Sequence, residues 1–257
     1  MKVATWNVNS VRARQERLVR WLEVQRPDVL CLQELKVQDE AFPFDAVRQA
    51  GYHAAVFGQK TYNGVAILST SEPADVERGF GDSGPDAQAR FICARIGRVH
   101  VASVYVPNGG ELGSEKYAYK LEWLKRLRAH LDRRFDKGSD LVLCGDFNVA
   151  PEARDVHDPA AWAETVLFSP EVREALARVC GWGLVDTLRL HHQDAGLYTW
   201  WDYRMLAFPK NHGLRIDHIL ASEPLAKRCD SVTIVREERK GKQPSDHAPV
   251  VASFSDS

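Results

Sequence analysis

Short apolar runs rich in valine, isoleucine and aromatic residues recur along the chain, and most of them end at a polar or turn-forming residue. Runs of this length and composition are typical of β-strands, and we expect about ten of them. They lie at 2–8, 28–34, 52–57, 64–69, 90–96, 99–106, 140–146, 215–222, 231–237 and 249–255.

Amphipathic segments between these runs predict helices. The clearest covers 114–135, where apolar residues recur at steps of three and four behind Ser114, a residue type that caps helix N-termini. We expect a second helix at 11–25 and a third at 170–180, with Pro170 in its first turn. Strands outnumber helices, and several are close enough in sequence to form hairpins. The pattern therefore predicts an α/β fold of two packed, mostly antiparallel sheets flanked by helices.

Length and composition fit one large domain. The chain has 257 residues, of which 44% are hydrophobic, and a core of that size suits a single domain over 1–257. The formal net charge is −1, so a polyanionic partner would have to be attracted by a local basic patch. Net charge therefore neither indicates nor excludes a DNA partner.

The cysteines and the first residues bear on the cellular compartment. Five cysteines lie far apart in the sequence, which fits reduced core thiols better than a disulfide framework or a zinc site. The opening residues, MKVATWNVNS, lack the charged and apolar regions of a signal peptide. No apolar stretch reaches the roughly 18 residues that a membrane helix needs. We expect an unexported, cytoplasmic protein.

Polar side chains stand where several buried strands should end. The run LVLCGDFNVAP closes on Asp146 and Asn148, and Asn7, Glu34 and Asp217 hold similar places in other runs. Taken singly, each is more often a turn or cap residue. Carboxylates gathered at one sheet edge would repel one another unless a cation neutralises them or some are protonated. Oxygen ligands without thiolates favour Mg²⁺, or Mn²⁺, over zinc.

Eight segments together resemble the motifs of a known family. In chain order, between residues 2 and 251, they are ATWNVNSVRAR, RPDVLCLQELK, YNGVAILS, VYVPNG, GDFNVAP, YTWWDYR, GLRIDHILAS and SDHAPV. This ordered series is similar to the exonuclease III type of apurinic/apyrimidinic (AP) endonuclease, within the endonuclease/exonuclease/phosphatase superfamily. The resemblance implies a four-layered α/β sandwich, a divalent metal, and hydrolysis of DNA phosphodiesters beside damaged or terminal nucleotides.

The resemblance and the side-chain chemistry together assign the hydrolytic roles. Glu34 would bind the metal with support from Asn7 and Asp246, so that the ion polarises the scissile phosphate. Asp146 would orient or deprotonate the attacking water. Asn148, two residues along on the same side of an extended strand, would hold that water or a phosphate oxygen.

Further groups would act on the phosphate. His247 is expected to face it, with Asp217 holding the other ring nitrogen and favouring the charged imidazole. Tyr105, at the end of VASVYV, would donate its hydroxyl to the phosphate or to the leaving oxygen. Lys36 would add positive charge near the metal, although a solvated lysine is the simpler interpretation.

DNA contacts are expected from YTWWDYRMLAFPKNHGLRID, which mixes flat apolar side chains with cations. In the family this region lines a pocket for a base-less sugar, which here implies Trp200, Leu214 and Ile216. Arg204 would enter the minor groove as a wedge, and Arg215 would contact phosphate. An intact nucleotide would fit such a pocket poorly, because it must unstack and still carries its base.

Two segments depart from the simple picture. Glu111 follows YVPNGG, where some family members carry a basic DNA-contacting residue, so the grip on the far strand is expected to be weaker. The segment HHQDAG, with His191 and His192, is poor evidence for zinc, because adjacent histidines in a loop do not have ligand spacing.

The sequence supports one leading function and two alternatives. The leading hypothesis is a monomeric, nucleoid-associated, Mg²⁺-dependent nuclease that incises double-stranded DNA 5′ to abasic sites and trims 3′ ends. A phosphomonoesterase or phospholipase of the same superfamily is the second, although the chain lacks an apolar hairpin for membrane docking. A DNA-binding module without catalysis is the third, and it is disfavoured because every expected catalytic residue is present. The balance among endonuclease, exonuclease and 3′-phosphatase activities depends on loop geometry.

Overall fold

The computed structural model describes residues 1–82 and 88–255. This part of the chain contains twelve strands: β1 Lys2–Asn7, β2 Val29–Gln33, β3 His53–Phe57, β4 Val65–Ser69, β5 Ala74–Arg78, β6 Phe91–Ile96, β7 Val99–Tyr105, β8 Leu141–Asp146, β9 Leu184–Asp186, β10 Asp217–Ser222, β11 Cys229–Ile234 and β12 Val250–Phe254. They form two six-stranded sheets, ordered β11-β12-β1-β2-β4-β3 and β5-β6-β7-β8-β10-β9. All pairings are antiparallel except β1 with β2 and β7 with β8.

Helices connect many of these strands. In the described ranges the α-helices are α1 Gln15–Gln25, α2 Phe44–Gln49, α3 Glu115–Arg134, α4 Pro159–Trp162, α5 Pro170–Cys180, α6 Thr187–His191, α7 Ala207–Lys210 and α8 Glu223–Ala226. Short 3₁₀ turns lie at Asp39–Ala41, Ala153–Asp155 and Arg236–Arg239.

Three apolar clusters hold the layers together. Val29 and Val142 belong to the cluster between the two sheets. Their neighbours Leu30 and Leu143 point the other way, into the clusters beneath α1 and α3. This alternation is what a strand requires when both of its faces are buried. The expected fold, a four-layered α/β sandwich of two mostly antiparallel sheets flanked by helices, is confirmed.

Each sheet has one parallel pair, and a helix makes each crossover. Helix α1 joins β1 to β2, and α3 joins β7 to β8, because parallel neighbours cannot be joined by a tight turn. The carboxyl ends of β1 and β8 face each other across the two sheets, where Asn7 donates a hydrogen bond to Asp146. The polar strand ends noted in the sequence therefore meet at one edge of the sandwich.

Helix boundaries agree with the sequence at two places and differ at one. The Ser114 hydroxyl accepts a hydrogen bond from the Tyr117 amide and caps α3, and α5 begins at Pro170. Helix α1 begins at Gln15 rather than at residue 11. The amide of Val11 is instead hydrogen-bonded to the carbonyl of Leu35, so the chain follows the loop after β2 before it turns into the helix.

The sequence pattern missed two strands. Strand β5 reads ADVER and carries two acidic residues and an arginine, and β9 has only three residues. Both are edge strands of the second sheet. Charged residues and short length are common at sheet edges because they discourage pairing with another chain, and the same features hide a strand from an apolar-run search.

Three of the five cysteines are core thiols. All five are free, and Cys31, Cys93 and Cys144 are buried. Burial raises the pKa of Cys93 to about 12, so this thiol stays protonated at neutral pH. In residues 1–82 and 88–255, no helix is both long enough and apolar enough to cross a membrane.

Candidate active site

Strand register gathers the first members of the site. Asp146 ends β8, and it is in register with Tyr105 of the parallel neighbour β7 and with Asp217 of the antiparallel neighbour β10. Both carboxylates are about 1% exposed. Neighbouring strands lie about 4.8 Å apart, so these three side chains are held close together by the sheet itself.

Asn7 and Glu34 complete the group from the first sheet. Nδ2 of Asn7 donates to Oε1 of Glu34 over 2.8 Å and to Oδ2 of Asp146 over 2.9 Å. Glu34 follows β2 in a left-handed conformation, with φ 53°. Nζ of Lys36 lies 2.9 Å from Oε2 of Glu34, so the expected positive charge does lie beside the site.

The turn after β8 corrects one expectation. Asn148 does not continue an extended strand, because its φ is +50° and β8 ends at Asp146. Its amide N–H donates to Oδ1 of Asp146 over 2.9 Å, and its Nδ2 donates to the carbonyl of Val106 over 2.9 Å. A tight turn stabilised by the Asp146 side chain therefore places the two residues together, rather than the pleat of a strand.

His247 is clamped between two carboxylates. Its Nδ1 lies 2.9 Å from Oδ2 of Asp217, and its Nε2 lies 3.8 Å from Oδ2 of Asp146. Burial lowers the pKa of the imidazole, but the charges of Asp217 and then Asp146 outweigh it and raise the pKa to about 10. The ring is therefore an imidazolium at neutral pH.

The Thr199 hydroxyl accepts hydrogen bonds from the backbone amides of Ile216 and Asp217 and fixes the start of β10.

Asp146 is a buried carboxylate close to other negative charges. Burial raises its pKa, Asp217 and Glu34 raise it further, and His247 lowers it, leaving the pKa at about 7. A buried carboxylate beside like charges is tolerated only when a cation or a proton compensates it. An Asp with a pKa near neutrality is suited to accept a proton from water.

The same carboxylates fit a divalent metal. Ligand atoms of Glu34, Asp146 and His247 lie within 4.8 Å of one another. Glu34 and Asp146 offer carboxylate oxygens to an ion, whereas Nδ1 of His247 is already held by Asp217. Asp246 stands to one side, where Oδ1 accepts from Asn9 and Oδ2 accepts from the Trp200 indole. Carboxylate oxygens as the main donors suit a hard cation.

Tyr105 is held with its phenol protonated. Burial raises the pKa of Tyr105 well above its ordinary value, and the charges of Glu34 and Asp146 raise it further. The Arg90 guanidinium lies over the ring at 4.8 Å and donates to the Tyr105 carbonyl. The protonated hydroxyl therefore remains a hydrogen-bond donor, directed towards Glu34.

Sequence reasoning missed two amides near the site. Nδ2 of Asn9 donates to Asp246 over 2.9 Å, and Nδ2 of Asn108 donates to Oδ1 of Asn148 over 3.3 Å. Both asparagines lie within three residues of a strand end, in WNVNS and YVPNG. Their signal was the same as that of Asn7 and Asn148, namely an amide just beyond an apolar run.

Comparison with known proteins decides what kind of site this is. The model of the endonuclease/exonuclease/phosphatase family matches residues 4–247. The chain belongs to this family. Exodeoxyribonuclease III of Haemophilus influenzae is 38% identical over 266 residues, which cover 99% of this chain and 100% of that protein.

Two solved structures are similar over nearly their whole length. An AP endonuclease from Archaeoglobus fulgidus is 43% identical with a TM-score of 0.96, and 99% of each chain is covered. A 3′–5′ exonuclease from Neisseria meningitidis is 43% identical with a TM-score of 0.94, and coverage is again 99% of each chain. The chain is therefore a DNA repair nuclease of the metal-dependent type, a hydrolase of DNA phosphodiester bonds, as the sequence predicted.

Two of the three residues expected to line a sugar pocket in this nuclease are buried. Leu214 has no exposed surface and Ile216 has 2%, and both belong to the apolar cluster beneath α3. Trp200 is half-buried, and the Trp162 ring packs edge-on against it at 6.3 Å. Of the three predicted pocket residues, only Trp200 presents a face to solvent.

The expectation that Arg215 contacts DNA phosphate is wrong. Its side chain is 1% exposed, with Nε 2.6 Å from Oδ1 of Asp155 and Nη1 2.8 Å from Oδ2 of Asp186. A guanidinium whose donors are engaged inside the core has none left for a phosphate. The Arg215 ion pairs instead tie β10 to the 3₁₀ turn at Ala153–Asp155 and to the end of β9.

The remaining predicted contacts lie at the surface. Arg204 is 84% exposed and pairs with its neighbour Asp202 at 2.7 Å. Beside it, Met205 and Leu206 are exposed at 82% and 67%, both with left-handed φ. Glu111 is exposed in the loop before α3. His192 contacts the carbonyl of Val232 in β11, which gives it a structural neighbour rather than a ligand.

Proposed function

We propose that this nuclease uses Mg²⁺ to process the 3′ ends of duplex DNA as its main activity. The observation that carries the hydrolytic part is the position of Asp146, between the Glu34 carboxylate on one side and the charged His247 on the other. The burial of Leu214 and Ile216, which the sequence predicted to line a sugar pocket, supports a preference for DNA 3′ ends over internal abasic sites.

The reaction needs four groups of this chain. Asp146 would take a proton from water as the water oxygen bonds to phosphorus and the P–O3′ bond breaks. The Asn148 amide would hold that water or a phosphate oxygen. The His247 imidazolium would donate to a non-bridging phosphate oxygen, where charge develops. The Tyr105 hydroxyl would donate a hydrogen bond to the departing O3′, which leaves with the electron pair of the broken bond and takes a proton from solvent to become a 3′ hydroxyl.

The metal would be held by oxygen ligands. Glu34 and Asp146 would bind Mg²⁺, with Asn7 and Asp246 in support, and Mn²⁺ is the alternative hard cation. When bound, the ion offsets the charge on the scissile phosphate. Lys36 would supply a fixed positive charge on the same side.

Incision at abasic sites is the second candidate, and the loop 203–206 favours it. Its apolar side chains Met205 and Leu206 project into solvent, where they could fill the space that a missing base leaves in a duplex. An abasic sugar would also have to fit beside the Trp162 ring, which packs edge-on against Trp200.

One experiment separates the two activities. Three labelled duplexes, with a recessed 3′ end, a 3′-phosphate at a nick, and an internal abasic analogue, are incubated with Mg²⁺ and with EDTA. The proposal expects metal-dependent loss of the terminal groups to be faster than incision at the abasic analogue. Faster abasic incision would overturn the preference for ends, and no cleavage of any duplex would overturn the proposed function.

A variant tests the pocket itself. Trp162→Ala removes the ring packed on Trp200, and it should raise the ratio of abasic incision to 3′ trimming. Because a ratio cancels any loss of folded enzyme, an unchanged ratio would show that the closed pocket does not set the preference.

A further inference from the structure

Lys120 is a charged side chain in a position built for an apolar one. It lies on the inner face of α3 with Tyr117, Trp123 and Leu124, and it has no exposed surface. Burial lowers the pKa of Lys120 to about 7, with the charge of Asp146 offsetting part of the effect. Burying an ammonium group is unfavourable unless hydrogen bonds compensate it, so its partners at this position must be strong ones.

The three partners of the ammonium group are backbone carbonyls. Nζ donates to the carbonyl of Asn108 over 3.0 Å, of Asn148 over 2.6 Å and of Val166 over 2.7 Å. An ammonium group has three N–H donors, and all of them are used. The acceptors belong to three separate loops, which follow β7, follow β8 and precede α5. One side chain therefore ties together the loops on one side of the active site.

Two of these loops carry amides of the site. Lys120 holds the backbone carbonyl of Asn148, whose backbone is left-handed, and the backbone N–H of Asn148 donates to Asp146. The side-chain Oδ1 of Asn148 accepts a hydrogen bond from Nδ2 of Asn108. The first loop also passes close to the lysine stem. A Cβ at Gly109, where φ is +100°, would lie 3.0 Å from Cδ of Lys120. The contacts leave little freedom for either loop to shift.

We propose that Lys120 is a positioning residue of this nuclease. Its ammonium group fixes the loops of Asn108 and Asn148, and thereby holds the side-chain amide of Asn148, whose Nδ2 lies 3.4 Å from Oδ2 of Asp146, in the geometry that the reaction needs. Lys120→Met would fill the core at similar length but leave three carbonyls without their donor, so it should also lower stability, and the kinetics of the folded enzyme are what separate positioning from stability. The role rests on the proposed hydrolysis at Asp146, and it extends that proposal to a residue outside the site.

The test is the kinetics of Lys120→Met on a recessed 3′ end with Mg²⁺. We expect kcat to fall by about 10-fold to 100-fold, because small misplacements of reacting groups are costly, while KM changes little. Lys120→Gln, which keeps two N–H donors, should recover part of the loss. Asn148→Ala removes the side-chain amide but keeps the backbone carbonyl that Lys120 holds. In that background Lys120→Met should cost less than about twofold, since Lys120 is proposed to act by positioning that side-chain amide.

Two matched variants on α3 separate positioning from folding. Lys125→Met removes an exposed lysine that pairs with Glu122, and it should leave both kcat and the unfolding temperature unchanged. Leu127→Ala creates a cavity in the same core, so it should lower the unfolding temperature and leave kcat of the folded enzyme unchanged.

The proposal is overturned if Lys120→Met keeps wild-type kcat, or if it loses the same factor with and without Asn148. If Lys120→Met fails to fold, the same comparison with and without Asn148→Ala is made with Lys120→Gln, and its result decides. An inactive wild-type chain would instead overturn the proposed function, so the two failures are distinguishable.

Discussion

Nδ1 of His247 lies 2.9 Å from Oδ2 of Asp217, and both side chains are buried. The charge of this carboxylate is the main reason that the buried imidazole is protonated. Asp217→Asn keeps the volume but removes the charge. We therefore expect kcat to fall by about 100-fold, the scale of a lost acid–base partner, while the variant remains folded.

The measurement is steady-state cleavage of a recessed 3′ end together with circular dichroism. Asp194→Asn, in an exposed loop, is the matched control and should behave as wild type. If Asp217→Asn also kept wild-type kcat, the charged state of His247 would have no part in the reaction.

Asp146 trades stability for function. Its buried carboxylate lies beside Asp217 and Glu34, so Asp146→Asn should raise the unfolding temperature in EDTA while lowering kcat by about 10² or more. Mg²⁺ should raise the unfolding temperature of the wild type and have little effect on the variant, because binding to the folded state stabilises it. Scanning calorimetry with and without Mg²⁺ measures both effects. An equal Mg²⁺ shift in the two proteins would place the metal elsewhere.

Much of the site could be predicted because its residues stand at the ends of apolar runs. Asn7, Glu34 and Asp146 each follow an apolar run, and a carboxylate or amide at that point is visible without knowing the fold. The register that brings Asp146 beside Asp217 was not visible in the sequence. It depends on a pairing between strands about 70 residues apart, which sequence periodicity does not encode.

Arg215 and Lys120 show why other roles could not be predicted. A sequence gives the charge of a side chain but not its partners. Asp155 and Asp186, which neutralise Arg215, lie far from it along the chain. The partners of Lys120 are backbone carbonyls, and every residue has one of those. Strand β5 was missed for a related reason, because an edge strand needs no continuous apolar run.

The buried pair of Asp155 and Arg215 should make stability depend on pH. Burial raises the pKa of Asp155, but the charges of Arg215 and Arg189 outweigh it, so the folded pKa lies below the ordinary value. Asp155→Asn removes one of the two carboxylates paired with the buried Arg215 guanidinium and the carboxylate that Arg189 contacts, and it should cost about 3–5 kcal/mol at pH 7. Urea unfolding measures this cost.

The sign of the pH dependence follows from the lowered pKa. The ion pair contributes fully above the ordinary Asp pKa of about 3.9 and loses its contribution as the pH falls through the folded pKa. The difference in unfolding free energy between wild type and Asp155→Asn should therefore be constant from about pH 5 to 8, which lies above the ordinary Asp pKa of about 3.9. It should shrink at lower pH. Asp45→Asn, whose side chain is 87% exposed, should cost almost nothing at any pH. A constant difference down to pH 3, about one unit below that reference, would contradict the ion pair.

Gly145 is required by the close approach of β7 and β8 next to Asp146. Its φ is +150°, and a Cβ there would lie 2.0 Å from the backbone carbonyl oxygen of Val104. Because that oxygen belongs to the neighbouring strand, relief of the clash would move β7 or β8 and with them Tyr105 or Asp146. Gly145→Ala should therefore lower both the unfolding temperature and kcat, whereas Gly138→Ala, where a Cβ meets nothing within 4 Å, should change neither. Thermal unfolding and 3′-end cleavage of the two variants check this, and a Gly145→Ala protein with wild-type values for both would show that the strands can separate without cost to the site.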